Sequence, residues 1–259
     1  MKTIINGHQI NYEILNPHLI DMQKPVLVFL HEGLGSIRQW KDFPQKICNF
    51  FNLQGLIYDR YGYGFSDILQ ESRKTNFLHD EAMIYLPSLI KNLKIPNKLI
   101  LIGHSDGATI ALIYASKFSD KLFCVISEAA HVMLEDISLN GIQKIKENYQ
   151  ASESLRKMIL KYHPDKADNM FYSWVNTWLS PEFKSWNIEK LLTGINVPVL
   201  AIQGDRDEYG SFVQLASIKK NVPSLVEIFY IPDCGHTPHL QAQDVVLIKM
   251  CTFISDFFK

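Results

Sequence analysis

The chain is 259 residues long, 47% hydrophobic and 20% charged, with a formal net charge of −1. That length suffices for one elaborated domain with a large buried core. The near balance of charge gives no basic field to draw nucleic acid or an anionic membrane, so neither is an expected partner. Cys48, Cys124, Cys234 and Cys251 are scattered without metal-ligand spacing in a chain too large to need disulfide staples. Free thiols in a reducing cytoplasm are expected. Met1–Gly7 has no continuous apolar stretch, and no segment approaches the roughly 18 apolar residues of a membrane span.

In chain order, Asn6-Gly7 stands between Thr3–Ile5 and Gln9–Tyr12, and both turn residues tolerate the positive φ of a type I′ turn. An antiparallel hairpin should therefore open the sheet. Strands are predicted over 26–30, 54–59, 99–103, 122–128, 197–202 and 226–231, with helices over 36–49, 76–93, 107–117, 211–220 and 242–258. Continuous apolar strands alternating with helices imply a mostly parallel sheet covered on both faces, an α/β fold. The alternation lapses over 132–190, a stretch of helix formers and aromatics that reads as a helical insertion between core segments 1–131 and 191–259. Ser180-Pro181-Glu182 has the chemistry of a helix start. Phe171, Trp174, Val175 and Trp178 recur at helical spacing, a stripe that either packs the insertion onto the core or roofs an apolar pocket.

Ser105 stands in Gly103-His104-Ser105-Asp106-Gly107, directly after the apolar run 99–102 and before a helical stretch. A sharp strand-to-helix turn lifts a hydroxyl clear of the backbone, and its flanking glycines let neighbouring segments pass closely. A serine nucleophile needs a histidine base, and the base an orienting acid. Downstream, strand 197–202 ends in Gly204-Asp205-Arg206-Asp207, and strand 226–231 opens into Pro232-Asp233-Cys234-Gly235-His236. The order Ser105, Asp207, His236 is thus present.

These segments resemble the α/β-hydrolase superfamily over nearly the whole chain. His31-Glu32-Gly33-Leu34-Gly35 is similar to its His-Gly motif, and Asp59–Ser66 to its Asp-x-Arg-Gly-x-Gly-x-Ser loop. The resemblance implies an α/β-hydrolase fold with a helical lid over 132–190. It also implies a Ser105-His236-Asp207 triad and an oxyanion hole from the Gly33 and Asp106 amides. Leu34, Glu128, His131, Trp174 and Trp178 are candidate pocket residues; Glu128, at the end of a strand, competes with Asp207 as the triad acid.

Two residues depart from the family pattern. Glu32 replaces a glycine, with Arg60 or Arg38 as its expected partner, and Asp106 follows the nucleophile. An ionised carboxylate facing the site would disfavour anionic substrates. Asp205 reads as a turn residue and Cys234 as a packing thiol. No P-loop or dinucleotide fingerprint is present, the acids and histidines lack metal-ligand spacing, and no cofactor or metal is expected. The expected substrate is a small ester, thioester or lactone. The alternatives are carbon–carbon hydrolysis of a vinylogous diketone and a non-catalytic ligand-binding role.

Overall fold

The computed structural model describes residues 1–19, 21, 23–95 and 98–258. The hairpin forms as its turn chemistry dictates: Asn6 and Gly7 take φ of 51° and 86° between β1 (Lys2–Ile5) and β2 (His8–Leu15). Then come β3 (Val26–Leu30), α1 (Phe43–Phe51), β4 (Gly55–Tyr58), α2 (Phe77–Asp80), α3 (Leu86–Asn92), β5 (Leu99–His104), α4 (Asp106–Phe118) and β6 (Leu122–Glu128). Between β6 and β7 lie α5 (Asp136–Ala151), α6 (Glu153–Tyr162), α7 (Ala167–Trp178) and the short α8 (Glu189–Leu192). The chain continues through β7 (Val199–Gly204), α9 (Phe212–Asn221), β8 (Val226–Ile231), α10 (Pro238–Gln241) and α11 (Gln243–Phe257).

The eight strands form one sheet in the order β1-β2-β4-β3-β5-β6-β7-β8. The pairs β1/β2 and β2/β4 are antiparallel, and the others are parallel. Alternation of side chains divides the core between the two faces. Val26, Val28 and Leu30 of β3, with Leu99 and Leu101 of β5, join the cluster under α3, α4 and the insertion. Leu27, Phe29, Ile100 and Ile102 join the one under α1 and α11. The parallel strands end on one edge, where Leu30 pairs with Gly103, His104 with Glu128, and Gly204 with Ile231. The loops that follow carry His31–Gly35, Asp59–Ser66, Ser105, Asp207 and His236, the usual place for a site in such sheets.

Three predicted elements differ from what forms. The helix expected over 36–49 is split: a 3₁₀ turn at Ile37–Trp40 ends at Lys41, whose φ of 54° breaks the helical path before α1 begins. The stretch 76–93 is helical but runs α2, then a wider π turn at Glu81–Tyr85, then α3. That turn carries the buried Glu81, whose Oε1 accepts from Tyr58 Oη at 2.8 Å. Ser180 starts only a single 3₁₀ turn, Pro181–Phe183, and its hydroxyl caps nothing. Ser211 does cap α9, its Oγ accepting from the Val213 amide.

Two glycines make the junction of β5 and α4 possible. A Cβ on Gly103 would lie 2.3 Å from the Gly107 carbonyl oxygen, and one on Gly107 would lie 1.9 Å from that of Leu30. Both obstacles are backbone and cannot swing away. Gly107→Ala is expected to cost about 3 kcal/mol, seen as a fall in Tm of roughly 6–12 °C. An unchanged Tm would contradict this packing.

Candidate active site

Ser105 sits between β5 and α4 with φ 54° and ψ −118°, a conformation costly for a residue with a Cβ. Its amide donates to the Glu128 carbonyl at 2.8 Å and its carbonyl accepts from the Thr109 amide at 3.0 Å, which ties the turn to β6 and α4. The hydroxyl oxygen lies 2.9 Å from His236 Nε2, and His236 Nδ1 lies 2.8 Å from Asp207 Oδ1. Asp207 Oδ1 also accepts from the Tyr209 amide at 2.8 Å, and Oδ2 from Gln203 Nε2 at 3.2 Å. Burial alone would raise the Asp207 carboxyl; the adjacent His236 outweighs it and holds the group below its usual range. With a carboxylate on Nδ1, His236 keeps Nε2 free to take the serine proton.

Glu128 is not placed at this dyad. Its Oε1 accepts from both the amide and Nδ1 of His239, at 2.7 and 2.9 Å. The His239 charge holds the Glu128 carboxyl down against burial. His236 is steadied from its backbone: its amide donates to Glu208 at 3.1 Å, and its carbonyl accepts from His104 Nε2 at 2.7 Å.

Among the described residues, the Gly33 and Asp106 amides donate to no protein acceptor, as two oxyanion donors require. Of the two departures from the family pattern, Glu32 has different partners from those expected. Glu32 pairs with neither Arg60 nor Arg38; its carboxylate accepts from Gln39 at 3.3 Å and lies 3.6 Å from His104 Nδ1. Arg60 instead donates Nη2 to the Glu32 main-chain carbonyl at 2.7 Å, while Nη1 stands 3.6 Å from Asp106 Oδ2. Asp106 Oδ2 also accepts from Trp174 Nε1 at 3.1 Å. Burial raises the Asp106 carboxyl and Arg60 opposes the rise.

The insertion closes over this group. Trp174 covers Gly33, where an added Cβ would lie 2.3 Å from the indole nitrogen. Trp178 packs 5.2 Å from the His131 ring, which is itself 6.0 Å from that of His236. His163, which the sequence reading missed, donates Nε2 to the Leu34 carbonyl at 2.9 Å and accepts from the Gly64 amide at 2.9 Å, joining the insertion to two motif loops. Phe171 faces inward, stacking on Tyr149 at 3.7 Å. Ser105 is 5% exposed. Clefts of about 350 and 570 Å³ flank the 69–74 loop, and neither is lined by Ser105, Asp207 or His236.

Asp205 acts as a turn residue, accepting from the Cys234 amide at 3.3 Å. Burial pushes the Cys234 thiol up to about 11, which suits packing rather than nucleophilic chemistry. The fold also gathers His104, Glu128 and His239, with one ligand atom of each inside 4.8 Å, a grouping invisible in their spacing. Within it, His239 Nδ1 is already bonded to Glu128 at 2.9 Å.

A family model for the alpha/beta hydrolase fold matches residues 25–173, more than half of the chain, and the protein belongs to that family. Protein PHYLLO, chloroplastic, of Arabidopsis thaliana is 23% identical over 277 residues, a match that takes in 89% of this chain but 15% of PHYLLO. MGS-M2, an alpha/beta hydrolase enzyme from a Medee basin deep-sea metagenome library, superposes with a TM-score of 0.77 at 19% identity, covering 100% of this chain and 97% of that one. The enol-lactonase from Burkholderia xenovorans LB400 gives 0.75 at 15% identity, covering 98% and 100%. No helix of the described residues is long and apolar enough to cross a membrane.

The Glu32–His104 pair makes stability depend on pH. Against partial desolvation, His104 draws the Glu32 carboxyl from 4.5 to about 2; burial opposes charging of His104, yet Glu32 and Glu128 lift it from 6.5 to about 9. The Glu32 contribution is complete above pH 4.5 and fades as pH falls toward 2. That of His104 is complete below pH 6.5 and fades as pH rises through about 9. Glu32→Gln should therefore lower Tm most between pH 4.5 and 6.5, with the deficit shrinking on both sides. A deficit independent of pH would contradict the pairing.

Proposed function

We propose that the protein is a serine hydrolase that cleaves a small ester, thioester or lactone through an acyl-enzyme. The observation that carries this reading is the unbroken chain from Ser105 Oγ through His236 to Asp207, at 2.9 and 2.8 Å. His236 Nε2 takes the Ser105 proton as Oγ attacks the carbonyl carbon, and the electron pair moves to the carbonyl oxygen. The Gly33 and Asp106 amides stabilise that oxyanion, aided by the N-terminus of α4. The tetrahedral centre collapses, the leaving group departs with the His236 proton, and water repeats the sequence to free the acid. Asp207 holds the imidazole in the required tautomer and stabilises its charged form.

Residues 132–190 act in this reading as a lid between the core segments 1–131 and 191–259. Trp174 and Trp178 form the ceiling and must shift to admit substrate, since the buried Ser105 is reached by neither flanking cleft. The similarity to an enol-lactonase supports an acyl-oxygen bond as the target. Four buried, unpaired cysteines favour a reducing cytoplasmic setting. The partner is a small acyl substrate, with no role for nucleic acid, membrane or cofactor.

Burst kinetics with p-nitrophenyl esters of increasing acyl length test this reading. Ser105→Ala should abolish turnover, and Asp207→Asn should lower kcat by on the order of 10⁴-fold. Glu128→Gln should fall far short of that loss, because Glu128 serves His239. Activity surviving Ser105→Ala would sink the proposal. Cleavage of vinylogous diketones without ester turnover would redirect the same triad to a carbon–carbon bond.

A further inference from the structure

Two buried acceptors beside the Ser105–His236 pair have no hydrogen-bond partner among the described residues: His131 Nδ1 and Asp106 Oδ1. His131 lies on the loop after β6 and is 4% exposed. Its Nε2 is 3.0 Å from the Tyr209 carbonyl oxygen. A carbonyl only accepts, so Nε2 carries the ring proton and Nδ1 is left as a bare acceptor. Burial, followed by the His236 charge, lowers the affinity of His131 for a second proton, which keeps Nδ1 bare. The neighbouring rings do not bond to it: the indole N–H of Trp178, 5.2 Å away between ring centroids, is itself without a partner, and the His236 nitrogens are committed to Ser105 and Asp207.

Asp106 is 1% exposed and commits only Oδ2 to partners, the Trp174 indole and the Arg60 guanidinium. His131 is fastened to the same end of α4, its amide and carbonyl bonded to the Thr109 hydroxyl at 3.1 and 2.7 Å, one turn on from Asp106. The Asp106 main chain carries one of the two oxyanion donors, so its carboxylate is rooted a few bonds from the scissile carbonyl. An unsatisfied buried acceptor is costly, and a bound donor removes that cost.

We propose that Asp106 Oδ1 and His131 Nδ1 form an acceptor subsite, and that the substrate cleaved at Ser105 carries a hydrogen-bond donor, a hydroxyl or ammonium group, close to its scissile carbonyl. The inference rests on the serine-hydrolase reading and narrows its substrate class. Anionic groups at this position are repelled by the carboxylate, and plain alkyl groups leave both acceptors unsatisfied.

The test is a series of isosteric p-nitrophenyl esters, 2-methylpropanoate, 2-hydroxypropanoate and 2-aminopropanoate, with kcat/KM divided by the spontaneous hydrolysis rate. A second series sets 2-hydroxyethyl against propyl esters, followed by proton release, and so covers a donor on the alcohol side. The wild type should prefer the donor-bearing member of at least one series by about tenfold or more. His131→Phe and Asp106→Asn should each lose most of that preference. The hydroxy and amino arms show which donor the subsite takes. A wild-type ratio near one overturns the inference even where a variant fails to fold. Ratios near one in both series, or a preference unchanged in His131→Phe, overturn the inference. If Ser105 still reacts with a fluorophosphonate in that case, the hydrolase reading stands; no labelling and no ester turnover would remove both.

Discussion

Ser105 can present its hydroxyl to His236 only because its backbone is held at φ 54° and ψ −118°. Such a conformation costs about 1–3 kcal/mol and persists only where the surroundings leave no alternative. Here the surroundings are explicit. Gly103 and Gly107 let the turn pass against α4 and the end of β3, and the amide of Ser105 is fastened to β6. The residues of α4 from Gly107 to Ala115 are all buried, so the helix that begins at the turn cannot shift without disturbing the core. The strain is thus offset by the packing of the whole domain, and its product is a serine hydroxyl held fixed relative to the loops on that edge.

Around this turn the protein buries a cluster of charged groups. Arg60, Asp106, Glu128, His104 and Asp207 are each at most 5% exposed. Each is paired, as burial of charge demands: Arg60 with Asp106, Glu128 with His239, Asp207 with His236, and His104 with the partly exposed Glu32. The pairs connect the elements that must agree. Arg60 comes from the loop after β4 and Asp106 from α4, while Trp174, bonded to Asp106, comes from the insertion. Trp174 both covers Gly33 and bonds Asp106, so a shift of α7 that uncovers Gly33 also breaks a hydrogen bond on the residue next to Ser105.

The sequence disclosed what depends on local chemistry and period. The Asn6-Gly7 turn, the apolar parallel strands and the glycines bracketing Ser105 each follow from nearest neighbours or from alternation, and all are where they were expected. Residues that act across the fold were less legible. Glu32 stood out as a misfit, yet its partner His104 lies 72 residues onward (104 minus 32) and emerges only when β3 and β5 pair. Asp207 was the favoured acid by position with Glu128 its rival, and in the structure Asp207 stands 2.8 Å from His236 while Glu128 stands 2.9 Å from His239. The helix expected over 36–49 broke at Lys41, a residue with no turn chemistry of its own. His163 gave no signal at all, because it works only through main-chain groups of two distant loops.

The measurement that bears most directly on this account is the mass of the enzyme quenched in acid during turnover of a slowly deacylating p-nitrophenyl ester, followed by peptide mapping. The account requires a single acyl adduct on the peptide that contains Ser105, formed within the burst and lost as deacylation proceeds. An enzyme that turns the ester over with no adduct, or with the adduct on another residue, would show that the strained serine is not the nucleophile.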